Sequence, residues 1–107
     1  MESAELKISL DGDVLTARIR GEIDHHTARP LRERLDAALL LNRPSRLVMR
    51  LEGMQFMDSA GLGLILGRVA VAKELGARVT VEGADARALR IMDMAGMLNR
   101  SDVTVKR

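Results

Sequence analysis

Apolar residues recur along this chain with two different periods, and the switches between them outline its elements. Leu6, Ile8 and Leu10 alternate with polar residues, Asp11-Gly12 follows, and Val14, Ala17 and Ile19 carry a second apolar segment. Two strands joined by a tight hairpin turn are the expected result. The period then changes: Ala28, Leu31, Leu35, Ala38 and Leu39 recur at helical spacing. Thr27 is placed to cap that helix, and Pro30 falls in its first turn, where a missing N–H costs little. After a loop at residues 42–45, Leu47, Val48, Met49 and Leu51 form a nearly continuous apolar run, the pattern of a strand buried on both faces. Leu62, Ile65, Leu66 and Val69 return to helical spacing and stop near Gly76, and Val79 and Val81 predict a short strand. Asp85 is placed to cap a third helix carrying Ala88, Leu89 and Met92 and ending at Gly96, while Val103 and Val105 predict a last strand. The order ββαβαβαβ is that of a single α/β domain, residues 1–107, with a mixed sheet. Its helical crossovers after residue 51 should be right-handed and make their strands parallel. Met92, Met94 and Met97 are expected to fill gaps in the core.

Composition narrows the function classes. With 47% hydrophobic and 30% charged residues the chain is globular, and the absence of cysteine removes disulfides and thiolate metal sites. The opening MESAELKISL carries acids where a secretory leader needs a basic region and an apolar run. The richest apolar stretch, Leu62 to Ala72, is interrupted by Arg68 and too short to span a bilayer. A soluble cytoplasmic protein that does not engage a membrane is expected. The pI near 9.7 raises the question of nucleic acid, yet the formal net charge is only +2. The densest basic stretch, Arg29, Arg32, Arg34, Arg43, Arg46 and Arg50, is broken by Glu33, Asp36 and Glu52, and Phe56 is the sole aromatic residue. Without a basic stripe or stacking platforms, no nucleic-acid partner is expected.

The chemistry concentrates in residues 54–67, MQFMDSAGLGLILG, where the chain passes from strand to helix. Gly61, Gly63 and Gly67 each cost about 1 kcal/mol relative to alanine in a helix interior, which suggests that something needs close access to Ser59. A serine nucleophile fits poorly, because the elbow G-x-S-x-G needs glycine where Met57 stands. A dinucleotide cradle fits poorly too: the glycines are spaced G-x-G-x-x-x-G, although Glu82 ends the next strand about where a ribose-binding acid belongs. Asp24, His25 and His26 are consecutive, so their side chains diverge, and no further metal ligand lies at ordinary spacing. Neither a metal nor another cofactor is expected. Either Asp58 or Ser59 could simply cap the helix. Capping alone does not call for glycine at two of the next four positions, whereas a small exposed hydroxyl at a helix N-terminus is accessible to a protein kinase. A phosphate there would meet free backbone N–H groups and the positive end of the helix, while adding about −1.5 to −2 charge beside Asp58.

Four segments carry a resemblance: Gly21 to Ala28 (GEIDHHTA), Phe56 to Gly63 (FMDSAGLG), Ile65 to Arg68 (ILGR) and Met92 to Gly96 (MDMAG). They resemble the anti-sigma factor antagonists of the STAS domain family, most of all the sporulation type. The resemblance implies a STAS-like mixed sheet with helices packed on one side, and a switch rather than an enzyme. In that family the unphosphorylated antagonist binds a nucleotide-bound dimeric anti-sigma factor and serine kinase of the SpoIIAB type and displaces the sigma factor. Phosphorylation ends binding, and a phosphatase of the SpoIIE type restores it. Carried over by position, Ser59 is the phospho-acceptor, Asp58 holds the site and meets the partner, and Gly61, Leu62 and Gly63 form the contact surface. Glu22, Asp24, His25 and His26 lie in the adjacent loop facing the partner. Ala60 stands where the family usually has a serine, leaving Ser59 as the single hydroxyl of that segment. The chain stops soon after Val105, where family members generally add a helix, so that helix is expected to be short or absent. A monomer is expected, docking onto a dimeric kinase. A stress-pathway antagonist or a signalling scaffold of the same fold is the alternative, with a small nucleotide-binding protein behind it.

Overall fold

The structure, a computed structural model, describes residues 4–106. The acid-bearing start at residues 1–3 lies outside them. The chain folds as β1 (Ala4–Asp11), β2 (Val14–Ile23), α1 (Ala28–Asn42), β3 (Arg46–Met57), α2 (Ser59–Glu74), β4 (Arg78–Glu82), α3 (Ala86–Met94), a single 3-10 turn (Met97–Asn99) and β5 (Val103–Lys106). The element order matches the hydrophobic periods.

The strands lie in sequence order, β1-β2-β3-β4-β5. The β1–β2 hairpin is antiparallel, with Asp11 opposite Val14 and Gly12 at φ +62 in the turn; every later pair is parallel. Each parallel step is taken in the same direction across the sheet, so crossovers of one hand carry all three helices to one face. That face holds the core: Leu15, Ala17 and Ile19 of β2, and Leu47, Met49 and Leu51 of β3, are buried against Leu31, Leu35 and Leu39 of α1 and Leu64, Ile65 and Val69 of α2.

Two expectations about packing are corrected. β3 is not buried on both faces: Val48 and Arg50 are half-exposed and Glu52 exposed, alternating with the buried Leu47, Met49 and Leu51, because the helices cover one side only. In β2 the inward set is Leu15, Ala17 and Ile19, and Val14, on the other parity, is half-exposed. Of the three methionines, Met92 and Met97 fill the core completely, but Met94 is 82% exposed. Only a residue on the sheet-facing side of α3 can reach the core, and Met94 follows Met92 by two positions, far round the helix.

α1 and α2 meet through a charged pair as well as through leucines. Arg68, which interrupts the apolar run of α2, is only 5% exposed, with its Nε 3.0 Å from Asp36 Oδ1 on α1. Neither atom makes a well-aligned hydrogen bond, so the attraction is mainly Coulombic. Burial lowers the Arg68 pKa, Asp36 opposes that shift, and neighbouring Arg32 adds to it. Among the described residues no helix is long and apolar enough to cross a membrane.

Candidate functional site

Parallel pairing of β2 with β3 brings the two motif segments together. Glu22 lies opposite Phe56 and Ile23 opposite Met57, and the Asp58 N–H donates to the Ile23 carbonyl at 3.3 Å. The loop after β2 and the start of α2 therefore leave the same edge of the sheet side by side. Within β2 the register shifts between Gly21 and Glu22, and Gly21 adopts φ +91. This irregularity, which a side chain would strain, turns the end of β2 into the loop.

Asp24 organises that loop. Its Oδ1 accepts from the His26 N–H at 2.8 Å and the Thr27 N–H at 3.1 Å, and its carbonyl accepts from Ala28 N–H at 2.8 Å. The Thr27 N–H is the foremost influence holding the Asp24 carboxyl below its ordinary pKa, with His26 assisting against partial desolvation. Thr27 occupies the position before α1, as expected, but its hydroxyl does not cap the helix. It donates to the Glu22 carbonyl at 2.8 Å and accepts from the Asp24 N–H at 3.0 Å, pinning the loop to the strand it leaves. Capping of the turn falls to Asp24 instead, and Pro30, third in α1, sits where no intrahelical donor is required. His25 and His26 are exposed, with ring centroids 3.9 Å apart. Among the described residues no group of His, Asp or Glu is arranged to hold a metal.

At the start of α2 the cap is Asp58. Its Oδ1 accepts from Ala60 N–H at 2.8 Å and Gly61 N–H at 3.2 Å. This corrects one expectation: the N–H groups that a phosphate on Ser59 would have met free are already held by a carboxylate. Ser59, the first residue of the helix, is exposed, and among the described residues its hydroxyl makes no hydrogen bond.

The glycines divide by role. A Cβ on Gly61 would run into Met57 Cγ and come within 3.1 Å of Ile23 Cγ2 and 3.2 Å of the Ile23 carbonyl. Gly61 is thus buried and needed so that α2 can approach β2 and β3. A Cβ on Gly63 or Gly67 would meet nothing within 4 Å. Gly63 is exposed beside a half-buried Leu62, which leaves a low, smooth patch next to Ser59.

Glu22, Asp24, His25, Asp58, Ser59, Gly61, Leu62 and Gly63 therefore share one end of the sheet, although Gly61 faces inward. Glu82, the candidate ribose acid, is instead engaged by Arg50, Nε to Oε1 at 3.3 Å. Sequence reasoning missed Arg87, at the start of α3, whose guanidinium carbon lies 5.9 Å from the centroid of the 36%-exposed Phe56 ring. The clue available was the lone aromatic placed just before Asp58. The indentation between them, lined by Phe56, Asp85 and Arg87, holds about 10 Å³, far below the volume of a ligand pocket. This end of the molecule offers a surface of carboxylates, an apolar patch and one free hydroxyl.

Comparison with known proteins gives the family. The chain is 38% identical to the anti-sigma F factor antagonist of Paenibacillus polymyxa over 84 residues, 78% of this chain and 72% of that protein. The solved structure of the anti-sigma factor antagonist SpoIIAA in its unphosphorylated form superposes with a TM-score of 0.80 at 20% identity, covering 96% of this chain and 89% of that one. SpoIIAA in its phosphorylated form gives 0.76 at 20% identity, over 96% and 92%. The STAS domain profile matches residues 5–106, nearly the whole length, and the chain belongs to the STAS domain family.

Proposed function

We propose that this protein is an anti-sigma factor antagonist controlled by phosphorylation of Ser59. In the unphosphorylated form it docks as a cytoplasmic monomer onto a nucleotide-bound anti-sigma factor and serine kinase of the SpoIIAB type, releasing the sigma factor. A phosphatase of the SpoIIE type reverses the modification. Ser59 is a substrate for the partner's chemistry and catalyses nothing itself. Asp58, Leu62 and Gly63 meet the partner, with Glu22, Asp24 and His25 alongside, and Gly61 sets the depth at which α2 sits.

The observation that carries this reading is the free Ser59 hydroxyl. Asp58 already caps α2, so the fold makes no use of the serine, which stands exposed at the first helical position. A phosphate there adds about −1.5 to −2 charge next to Asp58 and near Glu22 and Asp24, in a patch where the partner packs. Burying that charge without a counter-ion costs several kcal/mol, a loss of affinity of 100-fold or more. Calorimetry against a purified kinase of this type tests the reading. Ser59→Ala should bind as the wild type does and resist inactivation by ATP, and Ser59→Asp should bind at least 100-fold more weakly. Equal, tight binding by Ser59→Asp would refute the electrostatic switch, and a phosphate found by mass spectrometry elsewhere would move the site.

A further inference from the structure

The face of the sheet that the helices leave bare carries an unusual row of charge. Lys7 of β1 lies directly opposite Arg18 of β2, and Arg18 directly opposite Arg50 of β3. Like charges placed opposite one another across strands are destabilising, so three cations in one transverse row need an account. Arg50 has one: Glu52 at 3.0 Å and Glu82 at 3.3 Å neutralise it. Lys7, Arg18 and Arg20 are exposed and make no ion pair among the described residues. Two carboxylates lie beside them: Glu5, opposite Arg20, and Glu52, which pairs with Arg50 and also feels the charge of Arg18.

The same cations line a groove of about 470 Å³ together with Arg50, Gly53 and the two carboxylates Glu5 and Glu52, so that four cations face two anions. Gly53 lies opposite Arg20, and a Cβ there would come within 2.6 Å of Arg20 Cγ and 2.9 Å of Arg20 Nε. The missing side chain gives Arg20 room to lie across β3, along the groove. Arg18 and Arg20 are two residues apart on one strand, roughly 6–7 Å, and each guanidinium can grip a phosphoryl group with two N–H bonds. Phe56, the sole aromatic residue, is not among the lining residues, so the groove reads charge and not a ring.

From this we infer that the open sheet face binds a small polyanion with adjacent phosphoryl groups, Lys7 and Arg18 holding one and Arg20 the next. The site lies across β2 and β3 on the face away from the helices and is independent of the Ser59 switch.

Calorimetry and amide-shift mapping with inorganic pyrophosphate at low ionic strength test it, with orthophosphate as the comparator that carries a single phosphoryl group. The expected result is shifts centred on Lys7, Arg18, Arg20 and Gly53, and pyrophosphate affinity at least tenfold above that of orthophosphate. The double variant Arg18→Gln/Arg20→Gln should lose at least tenfold, while Arg29→Gln/Arg34→Gln on α1, with the same change of net charge, should bind as the wild type does. ADP run in parallel separates free from nucleoside-borne diphosphate: an affinity within threefold of pyrophosphate fits a site that reads charge alone. No binding, shifts centred elsewhere, or equal losses in the two double variants would overturn the assignment. An ADP affinity tenfold above that of pyrophosphate would overturn the claim that charge alone is read.

Discussion

Two glycines two residues apart in α2 should respond in opposite directions to the same added methyl group. At Gly61 the new Cβ would collide with Met57 Cγ and crowd Ile23 Cγ2 and the Ile23 carbonyl. Met57 and Ile23 are both almost fully buried, and the Ile23 carbonyl is held by the Asp58 N–H, so relief requires α2 to lift from the sheet. Overpacking of this kind costs about 1–3 kcal/mol, and the better helix propensity of alanine returns at most about 1 kcal/mol. Gly61→Ala should therefore lose about 1–2 kcal/mol. At Gly63 nothing lies within 4 Å, so only the propensity gain operates and Gly63→Ala should be stabilised by about 0.5–1 kcal/mol. With a urea slope of about 1–3 kcal/mol/M, Gly61→Ala should lower the midpoint by roughly 0.3–2 M and Gly63→Ala should raise it. A Gly61→Ala protein as stable as the wild type would refute the close-approach argument. A Gly63→Ala protein that is more stable yet binds the kinase less well would locate the contact surface on that patch.

Other consequences follow from single interactions. Asp58→Ala removes the acceptor for two N–H groups and should cost about 1 kcal/mol in chemical denaturation; Asp58→Asn, which keeps a capping oxygen, should cost much less, and equal losses would contradict the capping role. Asp36→Ala leaves the Arg68 guanidinium buried without its counter-charge and should cost about 2 kcal/mol, less than for a fully enclosed pair because Asp36 is partly exposed. Asp36→Ala/Arg68→Met should recover most of that loss in a double-mutant cycle, and simple additivity would show the pair to be uncoupled. The carboxyl of Asp24 is held below its ordinary value of 3.8. Its depressed folded-state pKa means the turn at residues 24–27 is fully supported above that value and loses support as pH falls through the lower one. A carbon-detected titration should place the Asp24 midpoint below 3.8, and a midpoint at or above it would refute the role of the Thr27 and His26 N–H groups.

Where sequence reasoning stopped short, the omission was geometric. Asp58 and Ser59 were interchangeable as caps along the chain, and the extended conformation of Asp58, φ −107 and ψ −163, decides between them by aiming its carboxylate at the second and third helical N–H groups. Gly61 and Gly63 read alike in one dimension; only the proximity of β2 makes one a packing requirement and the other open surface. Thr27 stands before α1 as its spacing predicts, but its hydroxyl bonds the strand end at Glu22 and not the helix. Arg87 joins Phe56 from a segment some thirty positions along, a relation that local pattern does not carry.

Local rules along the chain were enough for the number, kind and order of the elements, since alternation, helical spacing and turn residues act over a few neighbours and agree with one another here. They were also enough to single out residues 54–67 around Ser59, whereas residues 21–28 stood out only through the family resemblance. The tertiary structure decided which side of each strand is covered, which charges are paired and which hydroxyl is free. Those outcomes depend on strands and helices far apart in sequence meeting at a few ångströms. Parallel pairing of β2 and β3 brings Glu22 opposite Phe56 at the edge that carries Ser59 and, on the bare face, sets Arg18 opposite Arg50.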